Sequence, residues 1–226
     1  MSPSIGYWDQ WKTVSSNWKP SVEFLYPFGR DYPAAFAPLE PLFAELGALR
    51  GVDVVPIDWI RLTWLRVGFL GPVGLSAVEV ETFHEASGVQ LRKIDGRPVR
   101  LGDIELVDNR VTLKIDDGGI FREARAAAAR GLAQADAALR QDPAMTRDGD
   151  MYMPVIDLAY LDGTASDGAV VQAIDPYRAV DLGEVNVGKL MLAHVISQPE
   201  TEQTVRDTES SRTGNAMITT REELDP

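Results

Sequence analysis

The sequence predicts an α+β fold: two pseudo-symmetric lobes of antiparallel sheet, with helices on their outer faces and a central cleft. Three observations predict it. Along most of the 226 residues, β-rich runs alternate with amphipathic helical stretches. The hydrophobic content, 45%, is enough for an ordinary core. Two distant segments, Trp59 to Gly71 and Met153 to Gly163, also echo one another. Each reads as a strand with charged or hydroxylated residues at alternate positions, ending in an aromatic-Leu turn closed by glycine, as two similar halves facing one cleft would require.

The elements follow in order. Residues 1–20 hold Trp8, Trp11 and Trp18 outside any periodicity and read as an arm packed onto the domain. Ser21 to Phe28 is a β-rich run. Pro33 to Leu49 carries Phe36, Leu39, Phe43, Leu46 and Leu49 at spacings of three and four, which predicts an amphipathic helix. Asp58 to Leu70 is rich in aromatic, β-branched and Leu residues between Pro56 and the Gly71-Pro72 breaker, which predicts a buried strand. Ser76 to Ala86 reads as a helix capped by Ser76, with Glu79 completing a capping box.

Strands are then predicted at Val99 to Leu106 and Val111 to Ile115, joined by a turn at Asp108-Asn109. A helix follows from Ile120 to Arg140, where Ile120, Ala124, Ala128, Leu132, Ala135 and Leu139 form one stripe and Asp142-Pro143 ends it. Met153 to Leu161 and Val185 to Ile196 complete the set, so that 21–197 forms one domain. Residues 198–226 are polar and read as a solvated, disordered tail with a short helix near its end.

Composition excludes several classes of function. With 34 acidic against 22 basic side chains the net charge is −12, so bulk nucleic acid and anionic membranes are disfavoured partners. The absence of cysteine excludes disulfides, thiolate nucleophiles, Cys-based zinc sites and iron–sulfur clusters. The longest apolar stretch, Gly51 to Leu75, is interrupted by Asp53, Asp58, Arg61 and Arg66 and cannot span a bilayer. No basic start followed by an apolar run marks a signal peptide, so a cytoplasmic location is expected.

His84 and His194 are the only imidazoles. His84 reads as a solvated helix residue near Glu81 and Glu85, and His194 as a strand residue. Asp116-Asp117-Gly118-Gly119 reads as a turn opening a helix rather than a calcium loop. No metal or cofactor is expected.

The runs Trp18-Lys19-Pro20 and Pro56 to Leu70, with Pro154 to Gly163, resemble the actinobacterial branch of the 2'-5' RNA ligase-like family of the 2H phosphoesterase superfamily. The resemblance covers Trp18 to Ser197 in the same order. It implies a phosphodiesterase fold in which two His-x-Thr/Ser motifs face one another across a cleft, one imidazole acting as base and the other as acid. Here the first motif position reads Arg61-Leu62-Thr63 and the second Val155-Ile156-Asp157.

Arginine stays protonated and valine has no titratable atom, so acid–base cleavage by that route is not expected. An anion beside Asp157 would meet repulsion of roughly 4 kcal/mol at 4 Å and an effective dielectric near 20, unless Arg61 offsets it.

Alternation along a strand puts Trp59, Arg61, Thr63 and Leu65 on one face, and Met153, Val155, Asp157 and Ala159 on one face of the partner. The expected catalytic residues are Asp157, as acid or hydrogen-bond acceptor, with Arg61 and Thr63 polarising an oxygen. The expected ligand-binding walls are Trp59, Leu65, Met153 and Val155, with Tyr26 and Phe28 from the first strand. An apolar or aromatic small molecule suits such a pocket.

Three readings stand: a repurposed cyclase- or isomerase-type enzyme of specialised metabolism, a non-catalytic binding protein, and a residual cyclic phosphodiesterase or 2'-5' ligase. For Arg61 and Asp157 a plain ion pair is the alternative to catalysis; it would lower the pKa of Asp157, whereas desolvation would raise it. A homodimer is compatible with all three.

Overall fold

The computed structural model describes residues 21–69, 75–134, 153–187, 190–197 and 215–224. The Trp-rich arm, the Gly71-Pro72 breaker and the Asp142-Pro143 stop lie outside them.

Strand β1 (Ser21–Tyr26) is followed by short helices α1 (Phe28–Asp31) and α2 (Pro33–Phe36), a 3₁₀ turn (Ala37–Leu39) and α3 (Glu40–Ala48). The sequence predicts a single helix here, but Pro38 and Pro41 lack the amide hydrogens that a continuous ladder needs, and each opens a new helical segment instead. The short strand β2 (Val52–Val54) and a 3₁₀ turn (Ile57–Trp59) precede β3 (Leu62–Phe69). The predicted strand therefore starts four residues later than expected.

Helix α4 (Ala77–Leu91) has the expected capping box: Ser76 Oγ accepts from the Glu79 amide while the Glu79 carboxylate accepts from the Ser76 amide. It runs five residues past Ala86. The hairpin of β4 (Arg97–Val107) and β5 (Arg110–Asp116) turns at Asp108-Asn109 as predicted, with Asp108 at φ 52°. Helix α5 (Ile120–Gln134) begins at the Asp-Asp-Gly-Gly turn. There Asp117 is nearly buried and its carboxylate accepts from the Gly119 and Phe121 amides at 3.0 and 2.8 Å. Asp117→Ala removes both acceptors and is expected to lower stability by about 1–2 kcal/mol, read as a lower urea midpoint.

Strand β6 (Val155–Leu161) is followed by α6 (Asp167–Ile174), an element absent from the sequence expectations, and a 3₁₀ turn (Asp175–Tyr177). The single strand expected at Val185 to Ile196 is two, β7 (Asp181–Val187) and β8 (Leu190–Ser197), in different sheets. The helix expected near the chain's end is instead strand β9 (Asn215–Leu224), antiparallel to β8. Ile218, Thr219 and Thr220 supply β-branched side chains that favour that choice.

Two sheets result, ordered β3-β1-β8-β9 and β2-β6-β5-β4-β7, all pairings antiparallel. Helices α4 and α5 pack together, with α5 against β3, while α3 packs on β2 and α6 on β4. The α4–α5 crossing is close: a Cβ on Gly131 would lie 2.6 Å from the Ala86 carbonyl oxygen. Core contacts include Phe24 on Trp64 at 4.8 Å and a cluster of Tyr26, Phe28 and Phe121. Tyr26 and Tyr32 both donate their hydroxyls to the Asn186 carbonyl, tying β1 and its following helices to β7 of the other sheet. Among the described residues, no helix is long and apolar enough to cross a membrane.

Candidate functional site

Strands β3 and β6, one from each sheet, approach one another as the echo between them predicts. On β6, Ile156 and Leu158 are fully buried while Val155 and Asp157 are half-buried, so the alternation turns the latter two toward the cleft. The β5–β6 pairing then skips a residue: Val111 faces Ala159, but Thr112 faces Asp157, leaving Leu158 as a bulge. Arg110 pairs with Tyr160 beyond it. The bulge changes the phase, and Asp157, Tyr160, Arg110 and Thr112 come to share one face.

Their contacts follow from that register. Arg110 Nη1 donates to Asp157 Oδ1 at 3.2 Å, and the Tyr160 hydroxyl also bonds the Asp157 carboxylate. The ion-pair partner of Asp157 is thus Arg110, while Arg61 acts on it only through its charge. Burial raises the Asp157 pKa above the ordinary carboxylate value; Arg110, Arg61 and the Tyr160 hydroxyl oppose the shift without cancelling it. Of the two effects weighed for this residue, desolvation prevails. About a fifth of the side chain, 22%, stays accessible.

On the other wall a second bulge acts in the opposite sense. Leu25 faces Thr63 and Phe24 faces Leu65, so Trp64 is skipped. Thr63 shares its face with Leu25 and Glu23, and donates its hydroxyl to Glu23 Oε2 at 2.8 Å. Glu23 is 1% exposed. Leu65 turns to the opposite face, with Phe24, and packs against the core. Arg61, the residue before β3, is half-buried; its Nη1 reaches the Trp59 carbonyl at 3.5 Å, and its Nε is buried with no hydrogen-bond partner.

The structure therefore brings Arg61 close enough to act on Asp157 where β3 and β6 approach, with Val155 on the face of β6 that carries Asp157 and Thr63 bonded to Glu23 within its own sheet. The remaining expected wall residues lie elsewhere. Tyr26, at the end of β1, and Phe28, which opens α1 rather than lying on the first strand, are core side chains, 3% and 0% exposed, both packed on Phe121 of α5. Met153 precedes β6 and is 72% exposed. Trp59 sits in the 3₁₀ turn rather than on the strand, half-buried against the core. The cleft floor is consequently more polar than the sequence implies. Glu23, Arg110 and Tyr160 are the members that sequence reasoning missed; Arg110 and Tyr160 meet through the β5–β6 register, a pairing between strands distant in sequence that no local signal fixes. His84 lies in α4 and His194 in β8.

The chain matches no protein-family model and no curated protein. Its fold does match solved structures. TT0787 of Thermus thermophilus aligns with a TM-score of 0.59 at 18% identity, over 91% of this chain and 97% of that one. E. coli LigT complexed with ATP aligns at 0.53 and 15%, over 92% and 99%. The MHV ns2 PDE domain aligns at 0.50 and 10%, over 78% and 99%.

Proposed function

We propose that this chain, which has the fold of LigT and the 2H phosphoesterases, binds a small organic molecule in the cleft and transfers a proton to or from it through Asp157, without phosphodiester cleavage. The observation that carries this reading is Asp157 itself: a carboxyl on a partly accessible side chain, raised in pKa by burial and flanked by two arginines. Such a group holds its proton closer to neutral pH than a surface aspartate and can donate it.

In this reading the ligand's apolar part lies along Val155, and an oxygen meets Asp157 and Arg61. The Asp157 O–H donates to that oxygen, the guanidinium of Arg61 stabilises the charge left on the carboxylate, and the proton returns when product forms. No net proton is consumed, as a cyclisation or isomerisation requires. Tyr160 and Arg110 hold the carboxyl in place.

Phosphodiesterase chemistry is disfavoured by the same residues, since neither Arg61 nor Val155 can exchange a proton. The expected result with 2',3'-cyclic AMP and 2'-5' oligoadenylate is no product above a buffer blank. Clear turnover that Arg61→Ala abolishes would overturn the reading.

A further inference from the structure

Resting on the cleft reading above, we infer that the molecule bound there carries a hydroxyl or amine that donates a hydrogen bond to Thr63, in addition to the oxygen that meets Asp157. The ligand class is thus a hydroxy- or amino-substituted carbonyl compound, not an ether or a plain ketone.

Two observations carry it. The first is the alternation around Arg61. Ile60 has an extended backbone, and Ile60, Leu62 and Trp64 are 0%, 1% and 0% exposed in the core. Arg61 and Thr63, both half-buried, therefore share the opposite face, and Arg61 is close enough to act on Asp157 where β3 and β6 approach. Thr63 follows Arg61 on that face after one strand repeat, roughly 7 Å. The second is where the Thr63 proton goes. The hydroxyl donates to Glu23 Oε2 at 2.8 Å, and Glu23 is 1% exposed. Glu23 engages other groups as well. A hydroxyl has a single proton, however, so whatever else that carboxylate holds, Thr63 keeps only oxygen lone pairs for a ligand.

These two together select among ligand groups. An ether or carbonyl oxygen set against Thr63 brings acceptor to acceptor, and a hydrocarbon strips water from the lone pairs without replacing its hydrogen bond; both cost free energy. A ligand hydroxyl or amine instead completes a chain in which the ligand donates to Thr63 and Thr63 donates to Glu23, and each bond polarises the next. Asp157, which donates its own proton in the cleft reading, makes the opposite demand and needs an acceptor. The ligand must therefore carry both kinds of group.

The test is an NMR titration of the β3 and β6 amides in the full chain with two hydroxy ketones of different reach, 2-hydroxyacetophenone and 3-hydroxypropiophenone. Each is compared with its methyl ether and with its parent ketone, acetophenone or propiophenone. The expected result is that at least one alcohol binds about fivefold tighter, or more, than both of its controls. In Thr63→Val that preference should fall to within about twofold, and in Thr63→Ser, which keeps the hydroxyl, it should persist, each variant having a melting temperature near wild type. Neither alcohol binding tighter than its controls to the wild-type chain, or a preference unchanged in folded Thr63→Val, would overturn the inference while leaving the cleft reading intact. The wild-type comparison decides the matter even if Thr63→Val does not fold. If no probe, ethers and parent ketones included, shifts the β3 and β6 amides, both the inference and the cleft reading fail.

Discussion

Gly29→Ala is expected to destabilise the chain by about 3 kcal/mol or more, enough to leave a marginal domain partly unfolded at 37 °C. A Cβ at this position would lie 1.7 Å from the Ile57 carbonyl oxygen and 3.0 Å from the Ile60 Cβ, and the Gly29 amide donates to the Ile60 carbonyl at 2.8 Å. The obstacle is backbone, so no rotamer change relieves it. Either α1 or the Ile57–Trp59 turn must move, and that turn leads directly into Arg61 and β3. The substitution therefore acts on the site as well as on stability. Gly47→Ala provides the contrast within the same lobe. Its new Cβ would meet only Val54 Cγ2, at 3.8 Å. In α3 it is expected to stabilise by about 0.5–1 kcal/mol. Urea denaturation of both variants checks the pair, and a Gly29→Ala midpoint near wild type would contradict the packing described here.

Arg110→Ala is expected to cost about 1–3 kcal/mol at neutral pH, and less as the pH falls. The dependence follows from the direction of the Asp157 shift. Its carboxyl binds a proton more tightly in the folded chain than in the unfolded one. The stability it contributes is therefore full below the ordinary carboxylate value, about 3.9, and is lost as pH rises through the raised folded value. Removing Arg110 takes away a group that lowers the pKa, so the upper end of that window moves to higher pH. The variant's deficit is greatest where Asp157 is ionised and smaller where it is protonated. Asp157→Asn removes the titration. Its stability at pH 7.5 is expected to be no lower than wild type, with a flatter profile between pH 4 and 7. Urea midpoints at three pH values test this; a deficit in Arg110→Ala that grew on acidification would contradict it.

The contrast between these residues shows how much the sequence could say. That the strands carrying Thr63 and Asp157 approach one another was legible, through the internal echo and the family resemblance. The Ser76 and Glu79 capping box was legible because it is a local pattern, complete within one helical turn. What alternation could not reveal were the two bulges. The one at Trp64 sends Leu65 to the core, and the one at Leu158 brings Tyr160 beside Asp157. Bulges depend on the partner strand, so a reading of one strand at a time assigns every residue after them to the wrong face.

Glu23 is hard to single out, because a glutamate between apolar neighbours on a first strand looks like an edge residue until the Thr63 hydroxyl is seen bonded to it. Tyr26 and Phe28 suit a pocket by residue type, but α5 supplies Phe121 for them to pack on instead. The carboxyl at the seam thus acquires its counter-ion from β5, an element that neither half of the echo contains.

The central claim, that Asp157 is the proton-carrying group of this cleft, is tested most directly by its own titration. With ¹³C-labelled aspartate in the full chain, carboxyl NMR follows Asp157 from pH 3 to 8, and Asp157→Asn assigns the resonance. The account predicts a midpoint above about 3.9, the ordinary aspartate value, moving further up in Arg110→Ala. A midpoint at or below that value would mean that Arg110 and Arg61 dominate, leaving Asp157 a structural ion-pair partner with no proton to give near neutral pH.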